Sequence, residues 1–442
     1  MKTVKYLTLT VLLIQSLVFA SSADCPKNII LIIVDGGGIN NISAADYYTD
    51  GKRSSQLYEK FPVKLSVTTY PAGGSYEPKK AAKNFDYVKF GSTDSAAAAT
   101  TLATGVKTFN GSIGIDAKEN RLENIIERCE KLGLSTGVVT TVQISHATPA
   151  GFVAHAQSRS GYEEIADEMI NKSGLEVIFG CGNPLFDNSG KNLNEPGELK
   201  YVGGRQMWNS LIEGTAGGDA DGDGTADKWT LIQSKQDFIN LADGKTPKRV
   251  IGIAQAAETL QEKRSGNSVV PFDVPLNQNV PNLAEMTKAA LNVLDDDPDG
   301  FFVMIEAGAV DWASHENNSP RMLEEMIDFD GAADAVINWV ETKSDWDSTL
   351  VIITADHQTG YLTGLDKRRF VVNSGKGKMP QMEWNGGSHI NAPVFLFAKG
   401  QGSQLFAKQI KGQDPLYGPY IDNTDIPKVI FKILEQRIST QK

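Results

Sequence analysis

Only three of the 442 residues are cysteine, at positions 25, 129 and 181. Thiols this few and this widely spaced allow at most one disulfide with one thiol left over. They form no disulfide scaffold and no CxxC metal or redox signature. Their pairing is not readable from the sequence, and Cys129, inside a helical pattern, reads as a buried residue. Basic residues are also in short supply, with 43 Lys and Arg against 54 Asp and Glu and a formal net charge of −11. That balance lacks the electrostatic footprint of a nucleic-acid-binding protein. It repels anionic substrates at long range, so any phosphate chemistry needs a local positive centre such as a metal ion. After the N-terminus no apolar run is long enough to span a membrane. No internal repeat is evident, and no linker divides the chain.

What is present begins with the first twenty residues. Lys2 and Lys5 precede an apolar stretch from Tyr6 to Phe19 that ends in Val18-Phe19-Ala20. This reads as a secretory signal peptide cut after Ala20, with Ala23 the alternative, and it directs the protein to the periplasm or the medium. Cleavage removes two lysines and deepens the negative charge.

Five short apolar runs follow along the mature chain: NIILIIVD (28–35), STGVVTTV (135–142), FFVMIEAG (301–308), TLVIITADH (349–357) and APVFLFAKG (392–400). Continuous apolar runs of this length suit strands buried on both faces of a mainly parallel sheet. Amphipathic helix patterns lie between them at 120–133, 161–174, 321–343 and 425–437. The alternation predicts a doubly wound α/β fold with helices on both faces of the sheet. A single domain over 21–442 is expected, with loop-rich excursions at 62–84 and about 182–248.

In open parallel sheets ligands bind beyond the carboxyl ends of the strands. Asp35 ends the first run, Glu306 the third, and Asp356-His357 the fourth. One acid after a strand is an ordinary turn residue or helix cap. Three strands that all finish in metal-competent side chains suggest a site. In EAGAVDWASHENN, Asp311 and His315 stand four apart and share one side of a helical turn. His389 precedes another strand after a glycine pair, and His146 follows the second run. His155, within GFVAHAQSR, reads as a packed helix residue. Carboxylates with imidazoles and no thiolates suit catalytic zinc, and an all-oxygen set suits magnesium. The run FGSTDSAAAATTLATG (90–105) taken alone is a common helix start, Asp or Ser ahead of good helix formers.

Taken together these residues resemble the alkaline phosphatase family, in the family's order and over nearly the whole mature chain. TDSAAAATTLATGVKTFNGSIGID (93–116) is the most specific element, joined by ISHATPAGFVAHAQSR, EAGAVDWASHENN and ADHQTG. The resemblance implies hydrolysis of phosphate monoesters with Ser95 as the phosphorylated nucleophile. It assigns Asp35, Asp356 and His357 to the zinc beside Ser95, and Asp311, His315 and His389 to a second zinc. Asp35 would bridge to a magnesium completed by Thr148 and Glu306. Arg159 would grip two phosphate oxygens and Asp94 would place Arg159. A homodimer is the family's common state.

Several positions depart from the family's pattern. Gly37 stands where many members have Met. His146 replaces an Asp near the third metal, and Trp312 replaces a Lys or His. Thr359 replaces a His two residues after His357, and this is expected to remove a hydrogen bond that tunes the ligands. His146 with Trp312 is most similar to marine or cold-adapted bacterial members. Outside the family's core, GGDADGDGTADKW sets Asp219, Asp221, Asp223 and Asp227 at calcium-loop positions one, three, five and nine. Thr230 stands at position twelve in place of Glu, so a calcium site and an Asx/Gly-rich surface turn both remain open. Two alternative functions stand beside the phosphatase reading. A phosphodiesterase or sulfatase of the same superfamily is one, although Ser95-Ala96-Ala97 lacks the sulfatase C/S-x-P-x-R context and diesterases generally lack the Thr148 and Glu306 set. A non-catalytic secreted metal- or phosphate-binding protein is the other.

Overall fold

The five apolar runs become five neighbouring strands at the centre of one eleven-stranded sheet. The computed structural model describes residues 25–220 and 222–440, so the predicted signal peptide at 1–20 lies outside the described residues. In chain order the sheet strands are β1 (Asn28–Val34), β2 (Val63–Thr68), β3 (Ser135–Gln143), β4 (Val177–Cys181), β5 (Thr230–Ile232) and β6 (Val250–Ile253). They continue with β7 (Phe301–Ala307), β8 (Thr349–Ala355), β9 (Val394–Gly400), β10 (Gly412–Asp414) and β11 (Gly418–Asp422). Their spatial order is β10-β11-β2-β9-β8-β1-β7-β3-β4-β6-β5.

Every residue of β1, β7 and β8 is buried, which is why these runs carry no polar alternation. β1 pairs in parallel with both β7 and β8, and β3 in parallel with β7 and β4. β9 runs antiparallel to β8 and to β2, and beyond it β2 pairs in parallel with β11. The fold is therefore a large, mainly parallel sheet clothed by helices. Among the described residues, no helix is long and apolar enough to cross a membrane.

Some local expectations change. The stretch 62–84 supplies β2, and 182–248 supplies the helices Gly204–Ile212 and Lys235–Asp243 as well as β5. β2 is half-exposed at its start, and β5 is three residues long and never fully buried, so neither has the apolar run that marks a strand. The helix expected over 120–133 is confined to Ile125–Glu130, because Asn124 and Glu127 form a capping box that fixes its start. His155 lies beyond the helix Ala147–Val153, not inside it, since Ala154 is already extended. Its imidazole is held between the Glu168 carboxylate and the Leu122 carbonyl, both at 2.8 Å. Cys25, Cys129 and Cys181 are all free thiols, so the one disulfide the count allowed does not form.

The alanine-rich run forms the helix Ser95–Thr104, and all ten of its residues are buried. Small side chains let the helix Ala147–Val153 pack closely across it. A Cβ on Gly151 would fall 2.7 Å from the Ala99 Cβ and 3.0 Å from the Thr100 nitrogen. Gly151→Ala must push the two helices apart, at a cost of about 1–3 kcal/mol. Calorimetry is expected to show a melting temperature lowered by several degrees, and an unchanged one would contradict this packing.

Candidate active site

Strand register brings the acids together. Val34 stands opposite Ala307 on one side and Ala355 on the other. The next residues, Asp35 and Asp356, therefore leave adjacent strands at the same level. Gly36 (φ +72°) turns the chain immediately afterwards, and a Cβ there would lie 2.7 Å from the Asp311 Cα. The freed Gly36 N–H donates to Asp356 Oδ1 at 3.1 Å, and the His357 N–H donates to the same oxygen at 2.7 Å. Glu306 pairs with Thr140 across β7 and β3, and the Thr140 hydroxyl donates to it at 2.5 Å.

The helix Ala309–His315 carries Asp311 and His315 on one face. His389 arrives from a two-residue bridge in which it pairs with Thr359. Asp311 lies 3.4 Å from His315 Nε2 and 3.5 Å from His389 Nε2, and the two imidazole nitrogens are 3.0 Å apart. Each Nδ1 is engaged by a carbonyl, Gly387 for His315 at 2.8 Å and Thr93 for His389 at 2.9 Å. Donation there places a proton on each Nδ1 and turns both Nε2 atoms inward towards Asp311. His357 stacks on His389 with ring centres 3.7 Å apart.

Ser95 is the first residue of its helix. Its Oγ lies 3.2 Å from His357 Nε2. Asp94 caps the helix by accepting from the Ala97 N–H at 2.9 Å. Its other oxygen takes the Gly111 N–H at 3.0 Å and Arg159 Nη1 at 3.2 Å. Arg159 Nη2 faces His146 Nε2 at 3.3 Å, and His146 packs against Trp312. Ser95, His146, Arg159, Asp311, Trp312 and His315 line a single cavity of about 420 Å3. The site residues expected from the sequence thus converge from regions more than 300 positions apart.

The sequence profile of the alkaline phosphatase family matches residues 26–405. The chain belongs to the alkaline phosphatase family. Alkaline phosphatase 3 of Bacillus subtilis (strain 168) is 26% identical over 93% of this chain and 90% of its own length. The alkaline phosphatase of Escherichia coli (strain K12) is 31% identical over 76% of this chain and 71% of its own. The solved alkaline phosphatase of the Antarctic bacterium TAB5 superposes with a TM-score of 0.64 at 26% identity, covering 93% and 99% of the two chains. A variant of that protein with a histidine replaced by aspartate is described with Mg in its M3 site. Family and fold make this chain a phosphatase of phosphate monoesters, and the alkaline phosphatase family is metal-dependent.

The donor set of this alkaline phosphatase fits cations. Two groups of ligand atoms, Asp35, Asp356 and His357 in one and Asp311, His357 and His389 in the other, each lie within 4.8 Å of one another. His357 thus belongs to both groups, and His315 joins the second through Asp311 and His389. Both oxygens of Asp35, Asp356 Oδ2 and Glu306 Oε1 are buried without a hydrogen-bond partner among the described residues. Orphaned buried carboxylate oxygens cost several kcal/mol unless a proton or a cation meets them. Burial, reinforced by Asp356, Asp311 and Glu306, drives Asp35 well above the usual carboxylate range. Burial lifts Asp356 to about 7, and lifts Glu306 to about 7 against the pull of the Thr140 and Thr148 hydroxyls. Burial would raise Asp311 as well, but His315 and His389 hold it well below its ordinary value. His146, desolvated and beside Arg159, falls to about 3 and is therefore neutral.

Three further findings were not legible in the sequence. Thr359 does not leave a gap, because its hydroxyl donates to Asp311 at 2.5 Å and lies 3.3 Å from His357 Nδ1. The shorter side chain thus keeps a hydrogen bond to the Asp311 carboxylate. Thr140 is marked by no motif, although a buried threonine within a strand is a signal that its hydroxyl has a polar partner. Lys263 and Glu316 complete the wall of the cavity. Lys263 sits in an irregular segment, and no sequence motif marks it.

At the acidic loop, Asp221 lies outside the described residues. Asp219 accepts the Gly222 and Gly224 N–H groups at 2.8 and 2.9 Å, and Asp223 accepts that of Thr225 at 2.7 Å. Asp227 is engaged by Lys248 at 2.7 Å and by the Ala220 N–H at 3.1 Å, and Thr230 already belongs to β5. These bonds are those of an Asx/Gly turn.

The raised carboxyl groups set a pH dependence. Asp356 and Glu306 ionise near 7 in the folded state, against about 4 when unfolded. Their contribution to stability is complete below about pH 4 and is lost as the pH rises towards 7. Chelated protein is expected to melt at progressively lower temperature across that window, and divalent cations to restore more at pH 8 than at pH 5. Melting curves with and without chelator check this, and a metal effect independent of pH would contradict it.

Proposed function

We propose that this phosphatase hydrolyses phosphate monoesters through a phosphorylated Ser95, at a site completed by two zinc ions and one magnesium ion. The observation that carries the reading is Ser95 Oγ at a helix N-terminus, 3.2 Å from His357 Nε2 and beside carboxylate oxygens that lack any partner. Asp35, Asp356 and His357 would hold the zinc nearer Ser95. Asp311, His315 and His389 would hold the other, and Asp35, Thr148 and Glu306 the magnesium. Cations bound there supply Lewis acidity for the serine, the leaving oxygen and a water molecule.

The chain's own residues account for binding and orientation. The Ser95 helix presents its dipole and unpaired N–H groups to an incoming phosphoryl group. Asp94 fixes Arg159, whose planar fork suits two nonbridging oxygens. Neutral His146 supports the other edge of the guanidinium without adding charge. In the first displacement the Ser95 Oγ–P bond forms as the bond from phosphorus to the leaving alcohol breaks, and the alcohol leaves protonated. Water then forms a new O–P bond as the Ser95 bond breaks, and Ser95 regains its proton. Two in-line inversions give net retention at phosphorus.

We infer one domain over 21–442, export directed by residues 1–20 with cleavage after Ala20, and a homodimer by family resemblance. The turn bonds at Asp219, Asp223 and Asp227 suit an Asx/Gly-rich surface turn, and a calcium loop uses the same bonds.

The test is hydrolysis of p-nitrophenyl phosphate by purified protein, with and without chelator, beside Ser95→Ala. Activity is expected to fall at least about a thousandfold in Ser95→Ala and to be lost on chelation. Acid quenching is expected to trap phosphate on Ser95 in the wild type only. Undiminished activity in Ser95→Ala would sink the covalent route. Metal-replete wild type without turnover would favour the binding-protein alternative.

A further inference from the structure

The cavity wall contains a cation that the mechanism above does not use. Lys263 Nζ lies 5.5 Å from the centre of the Trp312 ring. That ring lies 5.7 Å from the His146 ring, and His146 in turn contacts Arg159 at 3.3 Å. Two aromatic rings therefore separate the Lys263 ammonium from the guanidinium assigned to the phosphoryl group. On its other side Lys263 borders a second, polar cleft of about 510 Å3, and Lys263 and Glu316 line both spaces.

The segment that carries Lys263 is unusually well fixed for an irregular one. Arg264 is buried and donates to Glu324 at 2.7 Å and to the carbonyls of Gln261, Val274 and Pro275. Arg321, also buried, donates to Glu324 at 3.2 Å and to the Arg264 carbonyl at 3.3 Å. The Lys263 N–H is bonded to the Thr259 hydroxyl at 2.8 Å. These bonds anchor the lysine backbone onto the helix Ser319–Lys343. Its ammonium pairs with Glu316, and Glu262 lies 3.9 Å away. Glu316 is half-exposed at the end of the helix Ala309–His315, so this pair is one that another anion can exchange into.

We propose that Lys263 is a specificity-determining residue that receives a second anionic group on the leaving-group side, displacing Glu316, so that the enzyme favours monoesters whose alcohol portion carries a negative charge. The inference rests on the phosphatase reading and names the substrate class of that site. A cation placed across two rings from Arg159 meets what extends from the phosphoryl group, not the phosphoryl group itself. It also counters locally the repulsion that an acidic chain exerts on doubly anionic substrates.

Two substrates isolate the effect, because 3-phosphoglycerate differs from glycerol 3-phosphate only by a carboxylate in place of a hydroxymethyl group. In Lys263→Met the ratio of their kcat/KM values is expected to fall about five- to tenfold. Glycerol 3-phosphate turnover itself should stay within about twofold, and Lys263→Arg should retain the wild-type ratio. Added salt should erode the wild-type ratio. Glu316→Gln, which removes the competing anion, should raise it and gives an independent reading should Lys263→Met fold poorly. An unchanged ratio in Lys263→Met overturns the proposal. An equal fall for both substrates does so too, because it places the lysine on the shared phosphoryl group. A ratio that does not rise in Glu316→Gln also counts against it. Wild type that turns over neither substrate removes the underlying phosphatase reading, and this outcome is distinct from a lost preference.

Discussion

The parallel register of β1 between β7 and β8 is the constraint from which the site follows. It delivers Asp35 and Asp356 side by side and Glu306 two residues below, all in a bed without water-exposed surface. Like charges at this separation in a medium of low effective dielectric repel one another strongly. Backbone N–H groups relieve one oxygen of Asp356, and Thr140 relieves one of Glu306. Among the described residues the remaining oxygens have no hydrogen-bond partner, and the neutral edge of His357 lies beside Asp35 and Asp356. A fold that concentrates unneutralised carboxylates at the carboxyl edge of its most buried strands is built around positive charge it does not itself supply.

The rest of the molecule can be read as support for that arrangement. The all-buried helix Ser95–Thr104 and the helix packed across it carry Ser95 to the rim of the carboxylate bed. Asp94 serves as helix cap and as the anchor for Arg159, so the local stability of the helix start and the placement of the guanidinium depend on one side chain. Carbonyls of Thr93 and Gly387 orient His389 and His315 from opposite sides. Thr359 then ties Asp311 to the segment that follows β8 and carries His357. The positive charge that the overall composition lacks is thereby concentrated in a few fixed places.

Much of this was legible in the chain. The central strands are continuous apolar runs, a pattern that follows directly from burial on both faces, and three of them, β1, β7 and β8, finish in or just before an acid. The interior strand β2 and the edge strand β5 were not legible, since they are short or half-exposed and their placement is decided by pairing partners far away in sequence. The ligand residues could be recognised because carboxylates and imidazoles at strand ends are chemically conspicuous. Thr140, Thr359 and Lys263 could not, because each acts through a neighbour that only the folded chain brings close. Thr359 is instructive, since its short hydroxyl side chain reaches Asp311 directly.

Anomalous X-ray diffraction at the zinc edge, on crystals grown with zinc and magnesium, tests the central claim most directly. The account predicts two zinc peaks, one about 2.0–2.2 Å from Asp35, Asp356 and His357 and one at the same distance from Asp311, His315 and His389. Empty density at both positions under saturating zinc, with the carboxylates left facing one another, would contradict it.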